Sequence, residues 1–368
     1  MIVTQLTRPK LPATFKRVAS TVFDLLKMAH TQSWSSKTMP RTRPIQLVLD
    51  FDGTLTEKDT MHILAEVGYA RQRKYQRSPS PRPWQEIVDA YIYDFKVHSD
   101  DYIPKPTERH SLSDETAWLA SLQSIEMASA DRAMEAGVFD DVHMDDMNST
   151  IRTVMDTNKV KIRKGWSELI TYIHQHNARI ASGCLVGGST SILSVNWSAY
   201  FVKRILQESL RYGSGHSISP THAWFEQIRV FANELPSLID EGVSLGDSPT
   251  APCSSTEPMS IRTSQDKVDI MSTMQDPSPD NKALLIYVGD STTDLGCLAA
   301  ADVGICIRDE PMGSGQKDLA ETCTRLGIEV IPLPGQAVSV RMKHQNLTRP
   351  LFWADGFGNI LKWLKEYS

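Results

Sequence analysis

Ile45-Gln46-Leu47-Val48-Leu49-Asp50-Phe51-Asp52-Gly53-Thr54-Leu55-Thr56 is the stretch that decides the fold. Five residues favouring extended backbone run straight into an acid, without the polar alternation of a half-exposed strand. Such a run reads as a strand buried on both faces, the kind that parallel sheets are made of. The pattern recurs at Ala283-Leu284-Leu285-Ile286-Tyr287-Val288, which stops at Gly289-Asp290-Ser291. Further strands are expected at Asp302–Ile307 and Gly327–Leu333, with a helix over Leu295–Ala301 between them. Short apolar strands alternating with helices predict an α/β protein with a doubly wound parallel sheet.

Between Thr56 and Lys164 the character changes to helical spacing broken by two proline-rich patches, Ser78–Pro83 and Ile103–Pro106. Trp118, Leu119, Leu122 and Ile125 lie on a helical run that continues through Met134. This part is expected to be a mostly helical insertion after the first strand. A helix over Gly165–His176 would return the chain to the sheet, and Leu351–Tyr367 would form a terminal helix.

The chemistry concentrates at the strand ends, where ligands of open α/β sheets bind. Asp50 and Asp52 stand two residues apart, a spacing that turns both side chains of an extended segment the same way. Two carboxylates so placed repel each other unless a cation or a proton separates them. Gly53 allows the chain to turn sharply there, and Thr54 adds a hydroxyl. Asp290 and Asp294 of Gly289-Asp290-Ser291-Thr292-Thr293-Asp294 bring two more acids to the end of a second buried strand. Four carboxylates with oxygen-only ligation call for a hard divalent cation, Mg²⁺ before others.

Asp50-Phe51-Asp52-Gly53-Thr54-Leu55-Thr56 and Gly289–Asp294 resemble motifs I and IV of the haloacid dehalogenase (HAD) superfamily. The order of strand, helical insertion, strand, lysine and strand is similar to the branch that contains phosphoserine phosphatase and methylthiopentenyl phosphate phosphatase. The resemblance runs from Ile45 to the C terminus. It implies a Rossmann-like HAD core with a helical cap, and an Mg²⁺-dependent phosphatase acting on a small phosphorylated metabolite through an aspartyl-phosphate. Asp50 would be the nucleophile, and Asp52 the acid that protonates the leaving alcohol and then activates water. The metal set would comprise Asp50, Asp52 through its backbone carbonyl, Asp290 and Asp294, the last acting more through a metal-bound water. Phosphate would be bound by Thr54, Ser194, Asn196 and Lys267.

Two of those positions have rivals. Ser194, in Ile192–Ser198, is followed by a helical pattern at Phe201, Val202, Ile205 and Leu206, and is preferred to Ser182, the Ser-Gly ending of Ala178–Gly183. Lys267 lies 23 residues before Asp290 at an expected helix start. Lys282 stands in front of a strand about 20 Å long, at the wrong end of the sheet. The acid two residues after the nucleophile argues against a dehalogenase or an ion-pumping ATPase. A phosphotransferase or mutase, and a catalytically inactive HAD-fold binding protein, remain the alternatives.

The expected organisation is a basic disordered leader over 1–44, a HAD core over 45–57 and 164–368, a helical cap over 58–163, and a flexible loop at 244–264. The leader carries eight basic side chains against Asp24 alone, a balance shared by disordered tails and mitochondrial transit peptides. Within 244–264, 12 of 21 residues are Ser, Thr or Pro. The 368 residues are 40% hydrophobic and 23% charged, with a net charge of −5. That is too little positive charge for a nucleic-acid-coating chain, and no apolar stretch is long enough for a membrane span. The five scattered cysteines form neither a disulfide framework nor a metal pair, which fits a reducing, cytoplasmic compartment.

Overall fold

The computed structural model describes residues 43–76, 82–180, 190–213, 220–242, 260–274, 283–333 and 349–367. Most of the basic leader, Ser182, Lys282 and most of the 244–264 loop lie outside the described residues. The rest builds a sheet of seven parallel strands in the order β3-β2-β1-β4-β5-β7-β6. These are β1 (Ile45–Leu49), β2 (Thr190–Leu193), β3 (Arg229–Phe231), β4 (Leu284–Gly289), β5 (Val303–Ile307), β6 (Val330–Pro332) and β7 (Leu351–Ala354).

β1 lies inside the sheet, paired with β2 on one side and β4 on the other. The chain builds outward from β1 through β2 to β3, then crosses back to start again at β4. The reversal falls between β1 and β4, and a crevice opens at the carboxyl ends of strands at such a point. In register, Leu49 sits beside Val288 of β4 and Ile192 of β2, so the residues that follow all three strands emerge at one edge.

Both faces of the sheet are apolar, which explains the unbroken hydrophobic runs. Leu47, Leu49, Ile286, Val288 and Ile305 face one core; Val48, Leu193, Leu285, Tyr287 and Cys306 face the other. The alternation is the period-two geometry of a strand, with each face covered by helices.

Between β1 and β2 the chain forms α1 (Met61–Lys74), α2 (Trp84–Asp101), α3 (Leu112–Ser121), α4 (Gln123–Glu135), α5 (Met144–Asp156) and α6 (Trp166–Ile180). The insertion leaves and re-enters the core side by side. Thr56 bridges Ile162 antiparallel, the Glu57 N–H donates to the Lys161 carbonyl at 2.9 Å, and the Arg163 N–H donates to that of Leu55 at 2.8 Å. Its helices join both cores: Ile63, Leu64, Met147 and Ile151 on one side, Trp118, Leu119 and Leu122 on the other.

The expected strand and helix starts at Ile45, Ala283 and Leu295 hold to within a residue. Three features differ. The helix expected across Leu351–Tyr367 is a strand, β7, followed by α12 (Phe357–Tyr367), and β7 lies between β5 and β6. Four apolar residues are too short a run for periodicity to separate strand from helix. The helix expected from Trp118 through Met134 is two, broken at Leu122. β3, only three residues long, carries no recognisable signal. The core helices are α7 (Ala199–Gly213), α8 (Pro236–Asp240), α9 (Ser264–Thr273), α10 (Leu295–Ala300) and α11 (Ser314–Arg325).

A buried charge triad fastens the insertion to the core. Glu115 of α3 accepts from Arg109 Nε at 2.8 Å and lies 2.8 Å from Arg325 Nη2 of α11. Arg109 also covers the Trp118 ring at 4.7 Å. Removing the shared carboxylate leaves two guanidiniums facing each other in a largely dry setting. Glu115→Ala is therefore expected to lower unfolding free energy by about 3 kcal/mol, measured by urea denaturation. A loss below about 0.5 kcal/mol would show that the triad contributes no more than an exposed pair.

Candidate active site

Asp50 follows β1 directly, and its N–H is still part of the sheet, donating to the Val288 carbonyl at 2.9 Å. That bond fixes the carboxylate beside the tip of β4, where Asp290 emerges. Gly53 then turns with φ +78°, a conformation that glycine adopts without strain. A Cβ at Gly53 would come within 2.3 Å of Asp290 Oδ2, and one at Gly289 within 2.4 Å of Asp294 Cγ. The first contact shows how closely the β1 and β4 tips approach, and the second how tightly the loop after β4 folds back on itself, so a side chain is excluded at both places.

The cation of the site is Lys267, delivered by the first turn of α9. Thr263 caps that helix: its hydroxyl accepts from the Asp266 N–H at 3.3 Å, while Asp266 Oδ2 accepts from the Thr263 N–H at 2.8 Å. Lys267 is fully buried and donates to Asp50 Oδ1 at 2.7 Å and Asp294 Oδ1 at 2.8 Å. Burial alone would pull its ammonium down, but the Asp294 and Asp50 carboxylates outweigh that and hold it above its usual value.

Asp294 is saturated. Besides Lys267, it accepts from the Tyr287 hydroxyl at 2.7 Å, and from the Asp290 N–H, the Ser291 N–H and the Ser291 hydroxyl, each at 3.1 Å. Burial works to raise its carboxyl, but Lys267 and these donors prevail and keep it below the ordinary range. With five donors on two oxygens, Asp294 is an orienting anion for Lys267 and for the β4 loop. The expectation placed Asp294 behind a metal-bound water, and its carboxylate lies in one cluster with those of Asp50 and Asp290.

Asp50 and Asp290 carry the opposite balance. Burial pushes Asp50 upward against the pull of Lys267, and burial followed by the Asp294 charge raises Asp290 to about 7. Carboxylate oxygens of Asp50, Asp290 and Asp294 lie within 4.8 Å of one another. Two incompletely neutralised carboxylates, all-oxygen donors and a single ammonium fit a hard divalent cation of the Mg²⁺ type.

Asp52 faces elsewhere. Its Oδ1 accepts from the Thr60 N–H at 2.8 Å and the Thr60 hydroxyl at 2.6 Å, and its Oδ2 from Asn196 Nδ2 at 2.8 Å. The side chain is therefore tied to Thr60 and Asn196, and the expected contact of Asp52 with a metal was through its backbone carbonyl. Burial, with a contribution from Asp59, raises its carboxyl to about 6.

Two expected phosphate contacts have other partners. The Thr54 hydroxyl donates to Asp290 Oδ1 at 2.9 Å, so its one proton orients Asp290. The Asn196 amide donates to Asp52 and, at 3.3 Å, to Thr60 Oγ1. Ser194 is fully buried directly after β2; its Oγ accepts from the Asn196 N–H at 3.1 Å, which leaves its own proton to donate. Glu126 and Arg132 of the insertion are engaged within it, by Tyr91 and Asp94 respectively.

Four further residues shape the site without a sequence signal that singles them out. Tyr287 and Thr60 are ordinary residues of a strand and a helix cap until their partners are known. Asn233, after β3, clamps two loops: its Nδ2 donates to the carbonyls of Asn196 at 3.0 Å and Ile261 at 2.8 Å. Arg163 donates to the Gly53 carbonyl at 2.9 Å and grips Asp309 with two nitrogens.

No family model matches the chain. A CTO1 family protein of Schizosaccharomyces pombe is 24% identical over 262 residues, covering 71% of this chain and 81% of that protein. Among solved structures, a phospho-aspartyl intermediate analogue of phosphoserine phosphatase aligns at 12% identity and TM-score 0.35, over 76% of this chain and 91% of that one. A phosphoserine phosphohydrolase-like protein from Francisella tularensis aligns at 14% and 0.38, over 86% and 97%.

Proposed function

We propose that the protein is an Mg²⁺-dependent hydrolase of small phosphomonoesters that works through an aspartyl-phosphate on Asp50. The observation that carries this reading is the buried Lys267 ammonium shared by Asp50 and Asp294, with Asp290 at the adjacent strand tip and Asp52 held to one side.

Asp50 and Asp290 would hold Mg²⁺, whose charge would offset repulsion between a carboxylate nucleophile and the phosphate oxygens. Lys267 serves the same end from the protein side, in a water-poor setting where its charge acts strongly. Its hydrogen bond to Oδ1 fixes the Asp50 carboxyl and leaves Oδ2 as the attacking oxygen. Ser194, with its proton free to donate, is the phosphate contact at the β2 tip.

Asp52 is the proton carrier. A carboxyl near 6 holds its proton often enough at neutral pH to give it to a departing alkoxide, then takes one from the attacking water. Thr60 and Asn196 hold the group so that it can do both. The helical insertion, mounted on the ribbon beside the nucleophile loop, would exclude water and select the leaving group. A transferase acting on a second alcohol would need the same residues; release of free phosphate rather than its transfer to glycerol separates the two.

The defining experiment is hydrolysis of an aryl phosphate by the full-length protein with and without Mg²⁺. Asp50→Asn is expected to reduce the Mg²⁺-dependent rate by about a thousandfold or more, and an equal rate in variant and wild type contradicts the reading. A second expectation concerns pH. Asp52 must be protonated for the first step, so kcat/KM on an alkyl phosphate should fall as pH rises through about 6. Thr60→Val deletes a donor to the ionised carboxylate, which raises the Asp52 pKa and should move that limb to higher pH. A limb that stays in place or moves down excludes Asp52 as the acid.

A further inference from the structure

We infer that Arg163 is a positioning residue that ties the helical insertion to the nucleophile loop, so that the insertion and the reacting carboxylate are set as one unit. Its kinetic consequence rests on the function proposed above; its structural consequence does not.

Arg163 ends the returning half of the two-segment ribbon on which the insertion is mounted. Its backbone N–H donates to the Leu55 carbonyl at 2.8 Å, one residue from the Thr56–Ile162 bridge. Its side chain runs under the loop after β1, where Nη2 donates to the Gly53 carbonyl at 2.9 Å. The same guanidinium binds both oxygens of Asp309, which follows β5, with Nη2 to Oδ2 at 2.7 Å. Asp309 is braced from the other side by Gln316 of α11, whose Nε2 donates to Oδ2 at 2.7 Å and whose Oε1 accepts from the Asp309 N–H at 2.8 Å.

One planar fork thus joins three loops at the carboxyl edge of the sheet: the nucleophile loop, the ribbon and the β5–α11 loop. The side chain is only 8% exposed, and Arg163 Nε has no partner among the described residues. Leaving a buried donor unmet costs stability, so the geometry is specified for Gly53 and Asp309 rather than for maximal bonding. Gly53 is the position whose missing Cβ lets Asp290 approach. A shift of the Gly53 peptide therefore alters the Asp50–Asp290 spacing, and misplacement by about 1 Å is enough to cost about a hundredfold in rate. Lysine cannot reproduce the contact, because it lacks the planar fork that reaches a carboxylate and a carbonyl together.

The test compares Arg163→Gln, Arg163→Lys, Asp309→Asn and the Arg163→Gln/Asp309→Asn double variant in the full-length protein. Steady-state kinetics on an aryl phosphate and hydrogen exchange without substrate are the two readouts. Arg163→Gln is expected to lower kcat by about tenfold to a hundredfold with KM changed less than about threefold. Arg163→Lys should not restore kcat. The double variant should be no worse than Arg163→Gln, since the two residues act as one device. Exchange should quicken in residues 50–57 and 161–164 while α12 and β5 stay as protected as in the wild type. Wild-type kcat in Arg163→Gln, additive losses in the double variant, or exchange that quickens evenly across the chain overturns the inference. If the wild-type protein hydrolyses no phosphomonoester, the proposed function fails and exchange alone decides: local quickening upholds the coupling, and unchanged exchange at 50–57 refutes it.

Discussion

An ammonium shut away from water between two carboxylates organises this molecule. Lys267 has no exposed surface, and such a group survives burial only where opposite charge meets it at close range. Asp50 at 2.7 Å and Asp294 at 2.8 Å supply that charge. Each comes from a different part of the chain: Asp50 after the first strand, Asp294 after the fourth, Lys267 from the helix capped by Thr263. The β1–β4 register and the α9 cap must both be correct for the three groups to meet. The ion cluster thus acts as a check on the fold as well as a feature of the site.

Around this triangle the acids divide by environment. Asp294 is saturated with donors and stays ionised; Asp290, with fewer, is pushed to about 7; Asp52, turned away and held by Thr60 and Asn196, lies near 6. Under the proposed function, carboxylates of one chemical type would thereby take different tasks, as nucleophile, ligand and proton carrier side by side. Asp294 lies in one carboxylate cluster with Asp50 and Asp290, and its five hydrogen bonds set it apart as the ionised member.

What the sequence made legible followed from strong local signals. Apolar runs ending in acid marked β1 and β4, and the spacing of Asp50, Asp52, Asp290 and Asp294 marked the edge at which they meet. Lys267 stood out because it lies 23 residues before Asp290 at an expected helix start. The side-chain direction of Thr54 and Asn196 was not legible, because a hydroxyl or amide near phosphate-binding motifs has the same composition whether it faces substrate or a neighbouring carboxylate. Arg163 and Asn233 were invisible for a different reason. Their contacts with the site loops are to backbone carbonyls, of Gly53 for Arg163 and of Asn196 and Ile261 for Asn233, and any residue type supplies a carbonyl. Leu351–Ala354 is too short to show a period, so no local signal separates β7 from the helix that follows it, and its place between β5 and β6 is set by tertiary pairing.

The most direct measurement is the stoichiometry of divalent cation binding, read by the paramagnetic signal of Mn²⁺ titrated into the full-length protein at neutral pH. One Mn²⁺ per chain, displaced by Mg²⁺, lost in Asp290→Asn and retained in Asp52→Asn, is the result expected of a carboxylate pair left short of positive charge beside Lys267. Absence of binding, or binding that Asp290→Asn leaves untouched, would contradict it.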